Sequence, residues 1–351
     1  MMSYDQAPAI ADILSAAHKI VIVQADNPDG DSLGSALALE HILADMGKEP
    51  YLYCAVDVPG YLRYLSGWDR VQKDLPNQFD ASIIVDASTM TLFEKLSASG
   101  QQGWIAAKPC VVLDHHQTVD NLIPFATVTI NDPTRASAGE LIFLLAKQLD
   151  WRLSVAAQEY IMTSILSDTQ GLTNQLAGPE SYRVIADMIE AGVDRARLEE
   201  VRREAGKMPL AIFRYKAALI MRTKFAADDQ IASVLVPQVD INQYSPLYNP
   251  APLIQNDLLQ TKGVRVAIVF KHYDDGKTTA AIRANNSAPI AAKLAEQFGG
   301  GGHDYASGFK TTKGRPFSEI ESECMSLAAE LLAKIDKETP DETIQYAYQT
   351  D

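Results

Sequence analysis

Acidic residues and histidines follow four short apolar segments in the first half of the chain, and such side chains bind divalent cations. They are Asp29 and Asp31 in NPDGD, Asp86 in IIVD, Asp114, His115 and His116 in VVLDHH, and Asp168 after SILS. Mixed carboxylate and imidazole ligands suit manganese or magnesium better than structural zinc, which favours thiolates. A pair of such ions can activate water and hold both the attacking and the leaving oxygen of a phosphoryl group. These residue types therefore predict metal-assisted chemistry on a phosphate ester.

Taken one at a time, these residues are weak indicators. A carboxylate after a strand more often caps a helix or forms a turn, and a single histidine there is commonly a buried imidazole bonded to the backbone. Convergence favours the functional interpretation, because several carboxylates held close together raise one another's pKa unless a cation neutralises them. We therefore expect the seven side chains to meet around metal ions.

The elements that must position them alternate between short β-branched runs and helical patterns. The predicted strands are 20–24, 51–54, 82–85, 111–113 and 126–130, and the predicted helices are 33–46, 138–149, 155–166 and 180–191. Apolar strands separated by helices are typical of a parallel sheet covered on both faces. Ligands of such sheets bind at the carboxyl ends of the strands, which is where most of the acidic and histidine residues stand.

A charge-dense segment separates this half from a second α/β pattern. We predict a metal-binding domain over 1–195, a linker or solvated helix over 196–215, a smaller α/β domain over 216–336 and a polar tail over 337–351. In the second domain the predicted strands are 231–236, 264–270 and 278–283, and the predicted helices are 290–298 and 318–335. The fold class is therefore α/β in both domains.

A run of four glycines in the second domain, Gly299, Gly300, Gly301 and Gly302, is followed directly by His303. Alone, such a run is more often a flexible loop than a binding site. Glycine amides can nevertheless cradle a phosphate or a carboxylate, because no side chain blocks the approach. His303 and Arg283, at the end of a predicted strand, add two donors that could hold a second phosphate or a base.

Composition narrows the class of ligand. The 351 residues carry a net charge of −14, whereas a protein that follows a long phosphate backbone normally has a basic surface. Long duplex nucleic acid is therefore not expected as a partner, and a small phosphate ester bound through metal ions is. No apolar run approaches the ~20 residues of a membrane helix, and the first ten residues do not resemble a secretory signal, so we expect no membrane partner and a cytoplasmic location.

The order and spacing of the acidic and histidine motifs resemble the four motifs of the DHH phosphoesterase superfamily. The motif segments here are NPDGDSLGS, the strand ending at Asp86, DHH at 114–116 and SDT at 167–169. The segment GGGGHDYASGF resembles the signature of the DHHA1-type accessory domain found in the nano-RNase and pAp phosphatase branch. The resemblance spans about residues 20–310 and implies a parallel-sheet DHH domain followed by a smaller α/β DHHA1-type domain, with the active site in the cleft between them.

The resemblance also implies a role for each residue. A first ion would be held by Asp29 and Asp86, and a second by Asp31, Asp86, His115 and Asp168. His116 would contact the scissile phosphate, and Asp114 would orient the neighbouring imidazole. Arg283, the four glycines and His303 would bind substrate. Two divalent cations are implied, with manganese preferred over magnesium.

One position departs from the family pattern, and it leaves alternatives open. The first motif of the family begins with a histidine ligand four residues before the first aspartate, and that position is Ala25 here. The expected function is hydrolysis of short oligoribonucleotides, pAp or linear or cyclic dinucleotides by a metal-activated water, in a protein that could form a homodimer. One alternative is a nucleotide-binding DHH protein with reduced or lost catalysis. The other is an inorganic pyrophosphatase-like enzyme, and the glycine and histidine signature argues against this second alternative.

Overall fold

The computed structural model describes residues 3–117, 122–245, 248–311 and 314–338. The chain divides into two compact units, unit 1 over Met1–Lys207 and unit 2 over Met208–Asp351. Most of the predicted polar tail, residues 339–351, lies outside the described residues. Within the described part of the chain, no helix is long and apolar enough to cross a membrane.

Unit 1 is built on a parallel sheet, as predicted. Its described strands are β1 (Lys19–Gln24), β2 (Glu49–Cys54), β3 (Ala81–Val85), β4 (Cys110–Asp114) and β5 (Val128–Asn131), in the order β2-β1-β3-β4-β5. Each neighbouring pair is parallel, so the carboxyl ends of all of these strands lie at the same edge of the sheet. This edge carries most of the predicted site residues.

Helices cover both faces of this sheet. They are α1 (Ala7–Ala16), α2 (Gly30–Asp45), α3 (Glu94–Ala98), α4 (Gln102–Ala106), α5 (Ala138–Gln148), α6 (Val155–Asp168), α7 (Pro179–Glu190) and α8 (Arg195–Ala205). Strand residues point alternately to the two faces, so Ile20 and Ile22 of β1 pack in the core beneath α2, α5 and α6. Val21 and Val23 pack in the opposite core, beneath α3 and α4. Burial on both faces explains why the strands read as continuous apolar runs.

Glycines allow three helices of unit 1 to approach closely next to the site. A Cβ atom on Gly139 of α5 would lie 2.1 Å from Oγ of Ser164, and one on Gly30 of α2 would lie 2.3 Å from Oγ of Ser167. Both serines belong to α6. Any larger residue at either glycine would therefore separate α6 from its neighbours, and the ends of these helices carry candidate ligands.

The start of α2 differs from the prediction. The sequence predicts this helix from residue 33, but α2 already begins at Gly30. Asp29 has extended backbone dihedral angles and caps the helix through its side chain, which accepts hydrogen bonds from the amides of Asp31 and Ser32. Asp31 consequently lies in the first helical turn and is fully buried.

Unit 2 contains a mixed sheet in the order β10-β11-β9-β8-β7-β6 among its described residues. The strands are β6 (Lys224–Ala226), β7 (Ile231–Pro237), β8 (Val266–His272), β9 (Thr278–Ala284), β10 (Gly301–His303) and β11 (Ala306–Thr311). The helices are α9 (Leu210–Arg222), α10 (Gln238–Tyr244), α11 (Pro250–Leu259), α12 (Ala291–Glu296) and α13 (Phe317–Glu338). Residues 196–215, predicted as a linker or solvated helix, fall in α8, the short segment after it and the beginning of α9.

Candidate metal centre

The carboxylate of Asp31 is held by donors from three helices. Its Oδ1 accepts hydrogen bonds from Oγ of Ser35 at 2.8 Å and Oγ of Ser164 at 2.7 Å, and its Oδ2 accepts from the amide of Ala138 at 2.8 Å. Burial opposes ionisation of Asp31. The imidazole of His115 and the hydrogen bonds from Ser164 and from the amide of Ala138 outweigh burial, and they keep the pKa of Asp31 below its ordinary value. Asp31 is therefore a fixed negative charge at this edge of the sheet.

Asp86 enters the site from a strained backbone conformation. It follows the last residue of β3 with φ of 58°, in the left-handed region that non-glycine residues seldom adopt. Its amide still bonds to the carbonyl of Leu113, so the ladder with β4 continues up to the turn. Burial, with the negative charge of Asp31, raises the pKa of Asp86 well above its ordinary value. Strain together with an acid that resists ionisation is typical of a functional site.

His115 lies at the centre of the cluster. Its Nδ1 is 3.3 Å from the carbonyl oxygen of Arg135, which can accept the Nδ1 proton and leave Nε2 free to act as a ligand. Nε2 lies 3.2 Å from Oδ2 of Asp168, 3.3 Å from Oδ2 of Asp31 and 3.5 Å from Oδ1 of Asp86. Burial disfavours the imidazolium, but these three carboxylates outweigh burial and raise the pKa of His115. A positive charge is thus favoured at this point.

Asp168 completes this group from the last residue of α6. Burial raises its pKa from 3.8 to about 6, and the charges of Asp31 and Asp29 act in the same direction. The carboxyl end of a helix also disfavours a negative charge. The chain turns immediately afterwards through Gln170, Gly171 and Leu172, whose φ angles are 52°, 78° and 70°.

Two buried atoms of the cluster lack hydrogen bonds, and they test whether the site fits a cation. Nε2 of His115 and Oδ1 of Asp86 form no hydrogen bond with any described residue, although each faces groups of the site. The ligand atoms fall into two groups, each within 4.8 Å, which are Asp31 with His115 and Asp168, and Asp86 with His115 and His116. A divalent cation would use the unpaired nitrogen and oxygen and would neutralise the carboxylates. The residues therefore fit a metal ion.

Asp114 and His116 form a separate pair beside this cluster. Oδ1 of Asp114 lies 2.7 Å from Nδ1 of His116, and Ser88 donates to Oδ2 of the same carboxylate. Burial would raise the pKa of Asp114, but the hydrogen bonds from His116 and Ser88 hold it below its ordinary value. Asp114 in turn raises the pKa of His116, whose side chain is 53% exposed. The pair presents at the surface of the site an imidazole whose protonated form is favoured by Asp114.

The neighbourhood of Ala25 offers less to a second ion. Ala25 is buried in the apolar cluster that contains Tyr53 and Phe93. Asp26 is directed to α3, where its Oδ2 accepts a hydrogen bond from the amide of Lys95 at 2.8 Å. Oδ1 of Asp29 caps α2, and Asp29 belongs to neither ligand group of the described residues. Its charge nevertheless contributes to the raised pKa of Asp86, so it lies near the cluster.

In unit 2, the predicted substrate-binding side chains flank one small residue. Ala306 of β11 pairs with Arg283 of β9 on one side and with His303 of β10 on the other. Directly opposed residues of a sheet point to the same face, so the guanidinium and the imidazole lie on one face with only a methyl group between them. Both side chains are exposed. The strand pairing therefore brings Arg283 and His303 together.

The glycine run is partly a strand and not wholly a loop. Gly301 and Gly302 belong to β10, which pairs antiparallel with β11. A Cβ atom on Gly300 would lie 2.2 Å from the carbonyl oxygen of Gly308, and Gly302 has φ of 137°, so both positions require glycine. Gly299 and Gly301 have no atom of the described residues within 4 Å of such a Cβ. Within the glycine run, open space beside the backbone is therefore found only at Gly299 and Gly301.

Comparison with known sequences assigns both units. Residues 19–169 match the DHH family, N-terminal domain, and residues 249–336 match the DHHA1 domain. The two matches fall in unit 1 and unit 2, in that order. The chain carries a DHH domain and a DHHA1 domain. The predicted domain families and fold class are confirmed, and the cluster of carboxylates and histidines lies in the DHH domain.

Relatives of the chain align with it over most of their length. An uncharacterized protein of Mycoplasma pneumoniae, the MG371 homolog, is 25% identical over 302 residues, which is 84% of this chain and 86% of that protein. The protein named bifunctional oligoribonuclease and PAP phosphatase NrnA of Thermus thermophilus is 24% identical over 334 residues, or 94% and 96% of the two chains. An exopolyphosphatase-related protein from Bacteroides fragilis has a similar structure, with a TM-score of 0.77, 22% identity and coverage of 93% and 97%. At this identity the structural match supports the fold alone.

Several residues of the DHH domain that support the site were not predicted. Ser88 holds Asp114, Ser164 holds Asp31, and the carbonyl group of Arg135 orients His115. Asn131 donates to Oγ of Ser88 at 3.4 Å and to the carbonyl of His116 at 3.1 Å. Asn131 ends β5, so the rule that places ligands at the carboxyl ends of parallel strands could have found it.

Proposed function

We propose that this protein is a divalent-metal-dependent phosphoesterase that hydrolyses short oligoribonucleotides, pAp or linear or cyclic dinucleotides. The observation that carries the proposal is the convergence on His115 Nε2 of carboxylates from α2, from the turn after β3 and from α6, all within 3.5 Å. Two of these acids, Asp86 and Asp168, have raised pKa values. Carboxylates held this close together repel one another without a cation. A metal ion bound among them would neutralise this repulsion and would give the cluster its function.

Asp31, Asp86, His115 and Asp168 would hold the more tightly bound of two ions. Asp29 and Asp86 would hold a weaker one, because Ala25 offers no ligand and Oδ1 of Asp29 already caps α2. When bound, such cations activate water and neutralise the charge that develops on the phosphoryl oxygens. We propose manganese as the preferred ion and magnesium as the second choice, from the mixture of carboxylate and imidazole ligands.

The protein side chains would orient the ester and donate a hydrogen bond to one of its phosphate oxygens. Asp114 accepts the hydrogen bond from Nδ1 of His116 at 2.7 Å, so the proton on Nδ1 is held and Nε2 carries the exchangeable one. Because Asp114 raises the pKa of His116, protonation of Nε2 is favoured, and a protonated Nε2 would donate a hydrogen bond to a phosphate oxygen of the substrate. Ser88 and Asn131 would keep Asp114 in place for this contact.

The proposed substrate class follows from charge and from similarity. A net charge of −14 disfavours a long polyanion, whereas a dinucleotide needs only local positive groups. The relative from Thermus thermophilus is named for activity on oligoribonucleotides and PAP. Arg283, His303 and the run from Gly299 to Gly302 would bind the part of the substrate that does not react. A cytoplasmic location and a homodimer remain predictions from the sequence.

A substrate panel tests the proposal. The purified protein is incubated with pApA, pAp, cyclic di-AMP and pyrophosphate in manganese, magnesium or EDTA, and the products are separated by chromatography. We expect hydrolysis of the nucleotides in manganese, less in magnesium and none in EDTA. Asp86→Asn should abolish it, whereas Asp12→Asn, at an exposed position of α1, serves as the matched control.

The second candidate function is nucleotide binding without turnover, and the specific observation that favours it is Ala25 in an apolar cluster. Under this alternative the wild-type protein would bind pApA or AMP but release no product with any of the metals. Hydrolysis of pyrophosphate alone would instead favour the inorganic pyrophosphatase-like alternative. Hydrolysis of at least one nucleotide in manganese contradicts both.

A further inference from the structure

A cavity of about 680 Å³ opens in unit 1 directly beside the metal cluster. One wall is formed by Gly30, which lies between Asp29 and Asp31, and by Ser167 and Gln170 on either side of Asp168. The volume falls within the ~300–1,000 Å³ of typical small-molecule sites. A ligand in this cavity would therefore adjoin the carboxylates that the proposed function assigns to metal.

Two tyrosines line the cavity between the metal cluster and α8. Tyr61 is 63% exposed, which is high for an aromatic side chain. Burial of part of the ring and then the negative charge of Asp29 raise the pKa of Tyr61, so its hydroxyl lies near Asp29. Tyr64 is half-buried and lies near Arg202 and Glu199. An exposed ring at the entrance of a polar cavity is a stacking surface for a planar base.

The part of the lining that α8 supplies is positively charged although the protein as a whole is acidic. Arg195, Arg202 and Arg203 line the cavity together with a single acid, Glu199, so these side chains carry a net charge of +2. Glu199 binds Arg202 through two hydrogen bonds of 2.8 and 2.7 Å and Arg203 through one of 2.8 Å. One carboxylate shared by two guanidinium groups positions them and leaves positive charge for an anion.

We infer that this cavity binds a nucleotidyl unit of the substrate, with the base stacked on Tyr61 and a non-reacting phosphate held by the arginines of α8. The inference rests on the proposed function for the class of ligand. It adds a subsite within the DHH domain itself, distinct from Arg283 and His303. An aromatic ring and several guanidinium groups that line one cavity fit a base and a phosphate of the same nucleotide.

Binding of AMP to the full-length protein in EDTA, measured by equilibrium dialysis, tests the inference without requiring turnover. Tyr61→Ala should raise the Kd about tenfold, the effect expected when one base–aromatic contact is lost, and Tyr61→Phe should stay within about twofold of wild type. Arg195→Ala should also raise the Kd about tenfold, because a charge-assisted contact is lost. Arg197→Ala is the matched control, since it removes the same charge from an exposed position of α8 that does not line the cavity.

Two comparisons separate this inference from the proposed function. Ribose 5-phosphate should bind more weakly than AMP, and that difference should vanish in Tyr61→Ala. Wild-type affinity in Tyr61→Ala, equal binding of ribose 5-phosphate and AMP, or no AMP binding to the wild type would each overturn the inference. If the AMP pattern appears but no nucleotide is hydrolysed in manganese, the proposed function fails and the subsite stands. If hydrolysis occurs without the AMP pattern, only the subsite fails.

Discussion

Replacement of Asp168 by asparagine should stabilise the metal-free protein and weaken its binding of manganese. The carboxylate is 19% exposed, ends α6 and faces Nε2 of His115 at 3.2 Å. Burial raises its pKa from 3.8 to about 6, so the ionised form is unfavourable in the folded state. An asparagine keeps the shape of the side chain and removes the charge.

The size of the effect follows from the pKa difference. A carboxyl group with a raised pKa costs no stability below pH 3.8, where it is protonated in both states, and its full cost is present above about pH 6. The difference between the two pKa values, 3.8 and about 6, corresponds to about 3 kcal/mol in the free energy of unfolding. Because His115 also loses an acidic neighbour, we expect Asp168→Asn to raise the free energy of unfolding by about 1–3 kcal/mol at pH 7.5. At pH 4.5 the gain in the free energy of unfolding should fall to about a third of its value at pH 7.5.

Urea denaturation followed by tryptophan fluorescence measures this effect in the right part of the molecule, because Trp68, Trp104 and Trp151 all lie in unit 1. Saturating manganese should reverse the order of stability, since wild type binds the ion more tightly and gains about 2.7 kcal/mol at 100 times its Kd. Asp187→Asn, at an exposed position of α7, should change stability by less than about 0.5 kcal/mol at either pH. A variant of Asp168 that is less stable than wild type in EDTA at pH 7.5, or a difference that does not grow with pH, would refute the reasoning.

Three further predictions concern the other ligands and the substrate-binding residues. Asp86→Asn should weaken manganese binding more than Asp29→Asn, because Asp86 would contact both ions, whereas Asp29 would contact one and belongs to neither ligand group of the described residues. Calorimetric titration measures both affinities, and equal affinity in wild type and Asp86→Asn contradicts the assignment. Ala25→His should strengthen the weaker of two manganese-binding steps. It should also cost about 1–3 kcal/mol of stability, since the ring enters a packed apolar cluster. An unchanged manganese titration would show that the ring does not reach the site. Arg283→Ala and His303→Ala should raise KM with little change in kcat, because a uniformly lost binding contact does not alter the chemical step. A fall in kcat at unchanged KM would instead place them in the catalytic set.

The strands of the DHH domain could be predicted because their residues are buried on both faces. The predicted strands 82–85 and 111–113 differ from β3 and β4 by one residue at each changed end. Continuous β-branched runs of this kind permit few other structures. The carboxyl ends of the strands then locate Asp86 and Asp114 without any knowledge of packing.

The start of α2 could not be predicted, because it depends on what Asp29 bonds to. In NPDGD either aspartate could cap a helix, and only the burial of Asp31 against α5 and α6 decides between them. The contact between Ser164 and Asp31 joins residues far apart in the chain, and no local pattern encodes it. Residues that hold ligands in place therefore remain hidden from sequence reasoning unless, like Asn131, they stand at a strand end.

The distribution of the ligands along the chain has a consequence for synthesis of the protein. Asp31, Asp86, His115 and Asp168 come from α2, the turn after β3, the end of β4 and the end of α6. Contacts among these four residues cannot be completed until residue 168 has left the ribosome, and closing such distant contacts is slow compared with forming a helix. The DHH domain precedes the DHHA1 domain, so an ion held by the proposed ligands could be captured while the second domain is still being made. Metal supply in the cell would then act during translation, before the proposed substrate-binding residues of unit 2 exist.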